Sequence, residues 1–423
     1  MKQVLVCVGL FFLQLYLTFS GTSIFGKFLN PIFLFATSIA IPIYLIRTHL
    51  QPSSAPVTMA ITSTWKRMLW ALGGLLSVLV AYEEVRKAFV KFSDPIQWSD
   101  VIPQVQTLYD RFANGELPYA PIDFVGYTLQ PIYMPLHWLP DGLAVLFQID
   151  PRWIGFWFFA IAVGVYGWFL AIQPYSIWGR IVALLLPSVP LWAYIEWGPA
   201  DLSVSYEIII GAYYLILASG LLIRNLWLVT IGIVLCLLSR YTFLFWLPLF
   251  ALLLLYEKGW KKSLIVWGTV VACFVFIYII PFYLKDPTML DRGLSYYVGA
   301  TVAEWNGYGD PPVSWTHENG ISFAPIMKAA FSGDMAHRVH WTRMIQGTML
   351  LLLFIGGLWA YRRWRDRIDL YTFSLVGLYT FLTVYYFFAP LTYRYYLFSW
   401  LVVSAVLCGK VIMHSFHFQD KKA

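Results

Sequence analysis

Apolar runs that approach the thickness of a lipid bilayer recur from one end of this 423-residue chain to the other, and they constrain its fold more than any other feature. They fall near Val4–Phe19, Asn30–Ile46, Met68–Tyr82, Trp153–Ile172, Ile181–Tyr194, Ser203–Ile223, Leu226–Leu238 and Phe243–Tyr256, then near Ser263–Leu284, Met344–Tyr361, Leu370–Ala389 and Leu397–Met413. Backbone in hydrocarbon must satisfy its own hydrogen bonds, so such runs read as helices. The expectation is an all-α polytopic membrane protein with about 12 transmembrane helices, forming a single integral membrane domain over residues 1–423. Several runs are shorter than the roughly 20 residues of a straight span, so their ends are set only to within a turn. Leu226–Tyr256 reads equally as one bent element or as two. The first run, preceded by Lys2, imitates a signal peptide; with so many spans following, it reads as a retained helix.

Composition agrees. Apolar residues make up 60% of the chain and charged residues 12%, against about 25% charged in an ordinary soluble domain. The net charge of +7 would suit nucleic acid, but the cations sit in clusters flanking the spans rather than on one face. Arg47, Lys66, Arg67, Arg180, Arg224, the Lys258–Lys262 cluster, the Arg362–Arg367 cluster, Lys421 and Lys422 fall on one side if the spans alternate. That side is expected to be cytoplasmic, with both termini there. The four cysteines (Cys7, Cys236, Cys273, Cys408) lie in apolar runs without metal-ligand or disulfide spacing. No internal repeat of the transporter kind stands out.

This alternation sends two long segments to the opposite side, Glu83–Arg152 and Lys285–Arg343, with short connections at Glu196–Leu202 and Leu391–Tyr396. The first segment is polar and bears acids. Glu83-Glu84-Val85-Arg86-Lys87 is a self-neutralising helix end. Val101, Val105, Leu108 and Phe112 then form a narrow stripe at helical spacing, suited to a membrane-surface helix. Asn114-Gly115 stops it with residues that accept a left-handed backbone. Five prolines follow between Pro118 and Pro140, so Tyr127–Pro140 is expected to be irregular chain roofing a cavity, because irregular backbone at membrane depth needs protein or water against it.

Asp100 precedes that helix, and two readings stand side by side. Ser99 or Asp100 caps the helix, or Asp100 is a general base held over a cavity at the membrane–water boundary. The two are compatible, although a helix N-terminus favours the charged form and weakens the base. Pumps and channels mostly carry their ionisable groups inside the spans instead.

The order Ser99-Asp100, Tyr109, Gly115-x-x-Pro118-Tyr119, Tyr133-x-Pro135 and Pro140 resembles the first periplasmic loop of GT-C type membrane glycosyltransferases, closest to the polyprenyl-phosphate-mannose-dependent mannosyltransferases of family 87. Trp197-Gly198-Pro199-Ala200-Asp201 stands where that family often has Gly-Gln-x-Asn. Leu237–Pro248, with Arg240, resembles its Lys-containing segment, and His317–Phe331 resembles an Asn-x-x-Ser segment through Asn319 and Ser322. Pro199 and Arg240 depart from the pattern. The resemblance implies inverting transfer of one hexose, such as mannose, from a polyprenyl-phosphate carrier to a glycan, lipid or protein acceptor on the extracytoplasmic face of the cytoplasmic (inner) membrane. It implies transfer without a nucleotide sugar, and no cofactor is expected. No metal is strictly required where side chains supply the charge at the phosphate, and no acidic cluster with metal-ligand spacing stands out. The scattered cations argue against a nucleic-acid partner. Asp100 becomes the base and the first loop the catalytic one.

Arg394, in the short Leu391–Tyr396 connection, and Arg240 are the candidates for the donor phosphate. For Arg394 the alternative is snorkelling to water, and for Arg240 an acid such as Glu196 or Asp201. Tyr119, Glu196, Asp201 and Asn319 are candidates for sugar or acceptor hydroxyls. Glu207, in an apolar run, is expected to be neutral or salt-bridged. Trp98 and Trp138 could stack on a sugar face, and His317, His337 and His340 read as surface residues. Two other classes remain: a lipid-linked oligosaccharide flippase or transporter, which needs no loop acid, and a glycan ligase or polymerase relying on Arg338 and His340.

Overall fold

The computed structural model describes residues 2–49, 63–93, 98–124, 126–308 and 319–420. His317, Lys421 and Lys422 lie outside them. The chain is an all-α polytopic membrane protein whose one sheet among the described residues is a two-stranded hairpin, Ile122–Phe124 with Tyr127–Leu129. Among the described residues eight helices are long and apolar enough to cross a bilayer, from Gly21–Arg47 to Arg394–Ser415. Three shorter apolar helices, Val4–Phe19, Glu207–Ile223 and Leu226–Leu237, accompany them.

Local chemistry sets many of the breaks. Ser176, Asn225, Asp334 and Asp369 each accept a hydrogen bond from a backbone N–H of the first turn that follows, which starts four helices. Arg224, in a left-handed conformation (φ 61°), makes the tight turn that folds Leu226–Leu237 back on Glu207–Ile223. Leu226–Tyr256 is two helices, broken after Leu237, with Arg240 in extended backbone (φ −146°, ψ 133°) ahead of a 3₁₀ turn at Tyr241–Phe245. The next break is at Gly259 (φ 74°, ψ 170°), which divides Leu247–Phe274 beside Lys258, Lys261 and Lys262. A residue with a Cβ meets steric strain at that φ.

Packing is layered around the C-terminal helices. The apolar part of Leu397–Asp420 is wholly buried and Leu370–Phe388 nearly so, whereas only 11% of the apolar window of Met335–Trp364 is buried. Thr64–Leu79 packs along Arg152–Leu170, which packs on Glu207–Ile223, and that helix meets Leu397–Asp420. Inside the core Gln14 ties four helices together. Its amide nitrogen donates to Tyr379 (2.7 Å) and Ser38 (3.3 Å), and its oxygen accepts from Ser404 (2.7 Å). The cysteines are free; Cys7, Cys236 and Cys408 are buried and Cys273 is half-buried.

The first long loop is mostly ordered secondary structure. Tyr82–Lys91 extends the preceding span, and Arg86–Glu83 (2.8 Å) and Lys87–Glu84 (2.6 Å) pair on its exposed face. The helix Val101–Ala113 forms, and Gly115 (φ 74°) ends it. Its stripe is not free to lie on lipid, however. Val101, Val105 and Leu108 are buried against Pro135–Trp138 and Asp141–Phe147, because the proline-rich segment supplies a protein surface for that face. Phe112, Tyr119 and Trp138 rest on Phe282, which belongs to a π-helical stretch, Val275–Tyr283. Tyr127–Leu129 is strand rather than irregular chain, and Gln130–Met134 alone keeps the expected irregular form.

Candidate active site

Where the loops meet the helices, Asp100, Gln104, Tyr133, Arg240, Arg343 and Tyr396 line one cavity of about 620 Å³. That volume is of the size that holds a small-molecule ligand. Several separate stretches build it, among them the first loop, the break at Ser239–Thr242, the helix Met289–Asn306, and Tyr385–Tyr396 at the end of Leu370–Phe388 and the connection after it. The helix Met335–Trp364 adds Arg343, Gln346, Gly347 and Leu350, one face at helical spacing. The remaining wall is largely apolar, including Phe245, Leu294 and Leu391.

Asp100 occupies the N-cap position of its helix but its side chain makes no capping bond. Ser99 takes that part instead, its Oγ accepting from the Val101 N–H at 3.2 Å. The Asp100 carboxylate is thereby left for the cavity, and its Oδ2 accepts from the Tyr127 hydroxyl at 2.9 Å. Burial pushes the Asp100 carboxyl above the ordinary carboxylate range, with the Tyr127 hydrogen bond acting in the opposite direction. A base with a raised pKa is a stronger one.

Arg240 enters from the break between two helices. It pairs with buried Glu207 on its far side and lies over the Tyr396 ring (4.4 Å) and the Tyr133 ring (5.8 Å). The pairing fixes the guanidinium's position; Nε of Arg240 has no hydrogen-bond partner among the described residues. Arg343 is half-buried and, among the described residues, has no carboxylate partner. Two arginines, Arg343 and Arg240, the latter held by Glu207, thus border the same space as the carboxylate. Tyr133 senses both: burial dominates in raising its pKa, Arg240 draws it down and Asp100 pushes it up. His137, stacked on Tyr133 (4.1 Å), is held neutral by burial and by Arg240.

Of the seven residues expected at the site, the structure brings Asp100 and Arg240 to the cavity and leaves five elsewhere. Arg394 pairs with Asp201 at 3.3 Å, and its carbonyl accepts from Tyr194 at 2.5 Å. Burial raises the Asp201 carboxyl and Arg394 opposes it, so the two serve each other. Glu196 is exposed at a helix end. Tyr119 is buried, donating to the Tyr133 carbonyl (2.8 Å) and accepting from Trp138 (3.2 Å), and so supports the roof from behind. Asn319 braces the second loop by donating to the Thr392 carbonyl (3.1 Å) and accepting from the Ile321 N–H (3.2 Å). Trp98 is exposed and Trp138 fully buried, and neither lines the cavity.

Arg343, Gln104 and the tyrosines 296, 297, 385, 386, 393, 395 and 396 are cavity residues that the sequence did not single out. One signal was present: Tyr385 and Tyr386 just before a short connection, and Tyr393, Tyr395 and Tyr396 within it, form a cluster of tyrosines. Among the described residues no three His, Cys, Asp or Glu side chains gather as a metal site. No family model, no curated protein and no solved structure matches this chain.

Proposed function

We propose that this chain is an inverting membrane glycosyltransferase of the GT-C type, which moves a single hexose such as mannose from a polyprenyl-phosphate carrier to an acceptor hydroxyl. The observation that carries the reading is that Asp100 and two arginines, drawn from distant parts of the sequence, border one cavity at the loop-bearing end of the bundle. Asp100 takes the proton of the acceptor hydroxyl as that oxygen bonds to the anomeric carbon from one face. The bond from that carbon to the phosphate oxygen breaks on the other face, and its electron pair leaves with the polyprenyl phosphate. Arg240 and Arg343 meet the charge that gathers on the departing phosphate; fixed charges of this kind need no reorganisation during the reaction. The apolar wall suits the lipid end of such a donor.

In this reading the protein sits in the cytoplasmic membrane with both termini cytoplasmic and the cavity facing the extracytoplasmic side. The positive clusters around Lys258–Lys262 and Arg362–Arg367 support that orientation. The ligase or polymerase alternative draws no support from its two residues. Arg338 is engaged with the carbonyls of Gly333 and Lys328, His340 is exposed, and neither lines the cavity.

The test is reconstitution in liposomes with synthetic polyprenyl-phosphate mannose, glucose and arabinose. Wild type transfers one sugar to an acceptor, and Asp100→Asn lowers the rate by about 10² to 10⁴, the range of general-base catalysis. Equal turnover by the two proteins removes Asp100 from the mechanism, and lipid translocation without transfer favours a flippase.

A further inference from the structure

One hydrogen bond joins the proposed base to the tip of the hairpin, and the chain is built to make it. Asp100 stands at the start of the helix Val101–Ala113 and Arg111 near its end. The Arg111 guanidinium donates to the carbonyls of Pro118 (3.4 Å), Ala120 (2.5 Å) and Pro121 (2.9 Å), which clamps the chain leading into the hairpin onto that helix. The helix is about 20 Å long, and the hairpin runs back along it towards Asp100. In the hairpin register Tyr127 faces Phe124, their rings stack at 5.6 Å, and Thr128 donates across the strands to Asp123 at 2.8 Å. The Tyr127 hydroxyl then reaches Asp100 Oδ2 at 2.9 Å.

Tyr127 is 45% exposed, so core packing does not hold this ring in place. Its hydroxyl is an ordered donor on one oxygen of a carboxylate that lines a cavity. We propose that Tyr127 is a positioning residue for Asp100, fixing Oδ2 so that the other carboxylate oxygen is presented to the acceptor hydroxyl. The inference rests on the transferase reading and deepens it: with Oδ2 taken by Tyr127, the remaining oxygen of Asp100 is the one that meets the acceptor hydroxyl in the cavity. The other ionisable groups that act on or near Asp100 are Tyr133 from the roof, Tyr296 from the helix Met289–Asn306, Tyr393 and Tyr395 from the short connection, and the cavity arginines 240 and 343. Glu304 lies further along the Met289–Asn306 helix, beside Tyr308 and Tyr393. Among the described residues that line the cavity, Asp100 is the one carboxyl.

The experiment compares wild type with Tyr127→Phe, which keeps the ring and its stack on Phe124. The protonated Asp100 carboxyl is followed by infrared difference spectroscopy across pH, its band assigned by loss in Asp100→Asn. Transfer from polyprenyl-phosphate mannose is measured over the same range. Removing a donor from the charged form raises the midpoint. The infrared titration and the acid limb of kcat/KM should therefore both move to higher pH, with kcat down roughly tenfold and KM for the donor unchanged. An unmoved infrared midpoint overturns the proposal, whether or not activity falls. A shifted midpoint with kcat unchanged also overturns it. If wild type transfers no sugar, the transferase reading fails, and the infrared midpoint still reports separately on the Tyr127–Asp100 contact.

Discussion

Two arginines that look alike in the sequence have different work in the structure. Arg394 is held by Asp201, while Arg343 borders the cavity with no carboxylate partner among the described residues. If the proposed transfer is correct, Arg343→Ala is expected to lower kcat/KM about 100-fold, the loss of one charged contact to the proposed phosphate leaving group, with little change in thermal unfolding. Arg394→Ala is expected to do the reverse, costing about 1–3 kcal/mol of stability by orphaning a partly buried Asp201. Parallel kinetics and thermal melts in detergent decide it. Large rate loss with an unchanged melt for Arg394→Ala would return the phosphate role to that residue. Asp141 is a second acid of interest, nearly inaccessible (1% exposed), with its Oδ1 unpartnered among the described residues. Burial, assisted by Asp110 and Asp150, raises its pKa to about 7. An unfolded aspartate loses its proton near pH 3.9, so the folded state binds more protons between those values, and stability declines as pH rises from about 4 through about 7. Asp141→Asn removes that dependence. Its melting temperature should gain on wild type across this window and then run parallel above it; a constant difference at all pH values refutes the assignment.

At the scale of elements, Arg152 joins the first loop to the bundle. It is buried, and its guanidinium donates to Asp150 Oδ1 (2.9 Å) and to the carbonyls of Phe92 (2.8 Å), Phe89 (3.2 Å) and Ser203 (3.3 Å), with its head over the Phe89 ring at 4.7 Å. Phe89 and Phe92 lie at the end of the helix Tyr82–Lys91, so one side chain from a distant helix satisfies carbonyls that the helix itself leaves open. Arg152→Leu should destabilise by about 3–5 kcal/mol, as the loss of one partner of a buried charge network does. Limited proteolysis should then cut sooner between Tyr82 and Trp98; an unchanged cleavage rate would show that the loop is held by its aromatic contacts alone.

Over the whole molecule, burial and hydropathy part company. The helices near the C-terminus are enclosed and Met335–Trp364 is largely uncovered, although all are apolar enough to span. Lipid tails are as apolar as leucine, so a helix in contact with lipid and one in contact with protein carry the same apolar signature. Orientation is open to a direct measurement. In a cysteine-free background, single cysteines at Glu116 and Asp334 should react with an impermeant maleimide added to intact cells. Cysteines at Lys258 and Arg363 should react only after permeabilisation. Labelling of the second pair in intact cells inverts the topology and moves the cavity to the cytoplasmic side.

Composition and the spacing of apolar runs were enough to determine an all-helical membrane protein, because hydrocarbon leaves backbone no partner but its own segment. The stop at Asn114-Gly115, the paired charges of Glu83 to Lys87 and the polar loop over a cavity were legible for the same reason: each follows from a few adjacent residues. Asp100 stood out by its place just ahead of the loop helix and by the family resemblance, and Arg240 as a charged group within apolar sequence. Tertiary structure alone decided that Arg343 shares their cavity while Arg394 turns to Asp201, that Glu207 backs Arg240, and that Tyr127 reaches Asp100. Those choices depend on which helix ends meet, and contacts between residues 100, 240, 343 and 396 leave no trace in local periodicity.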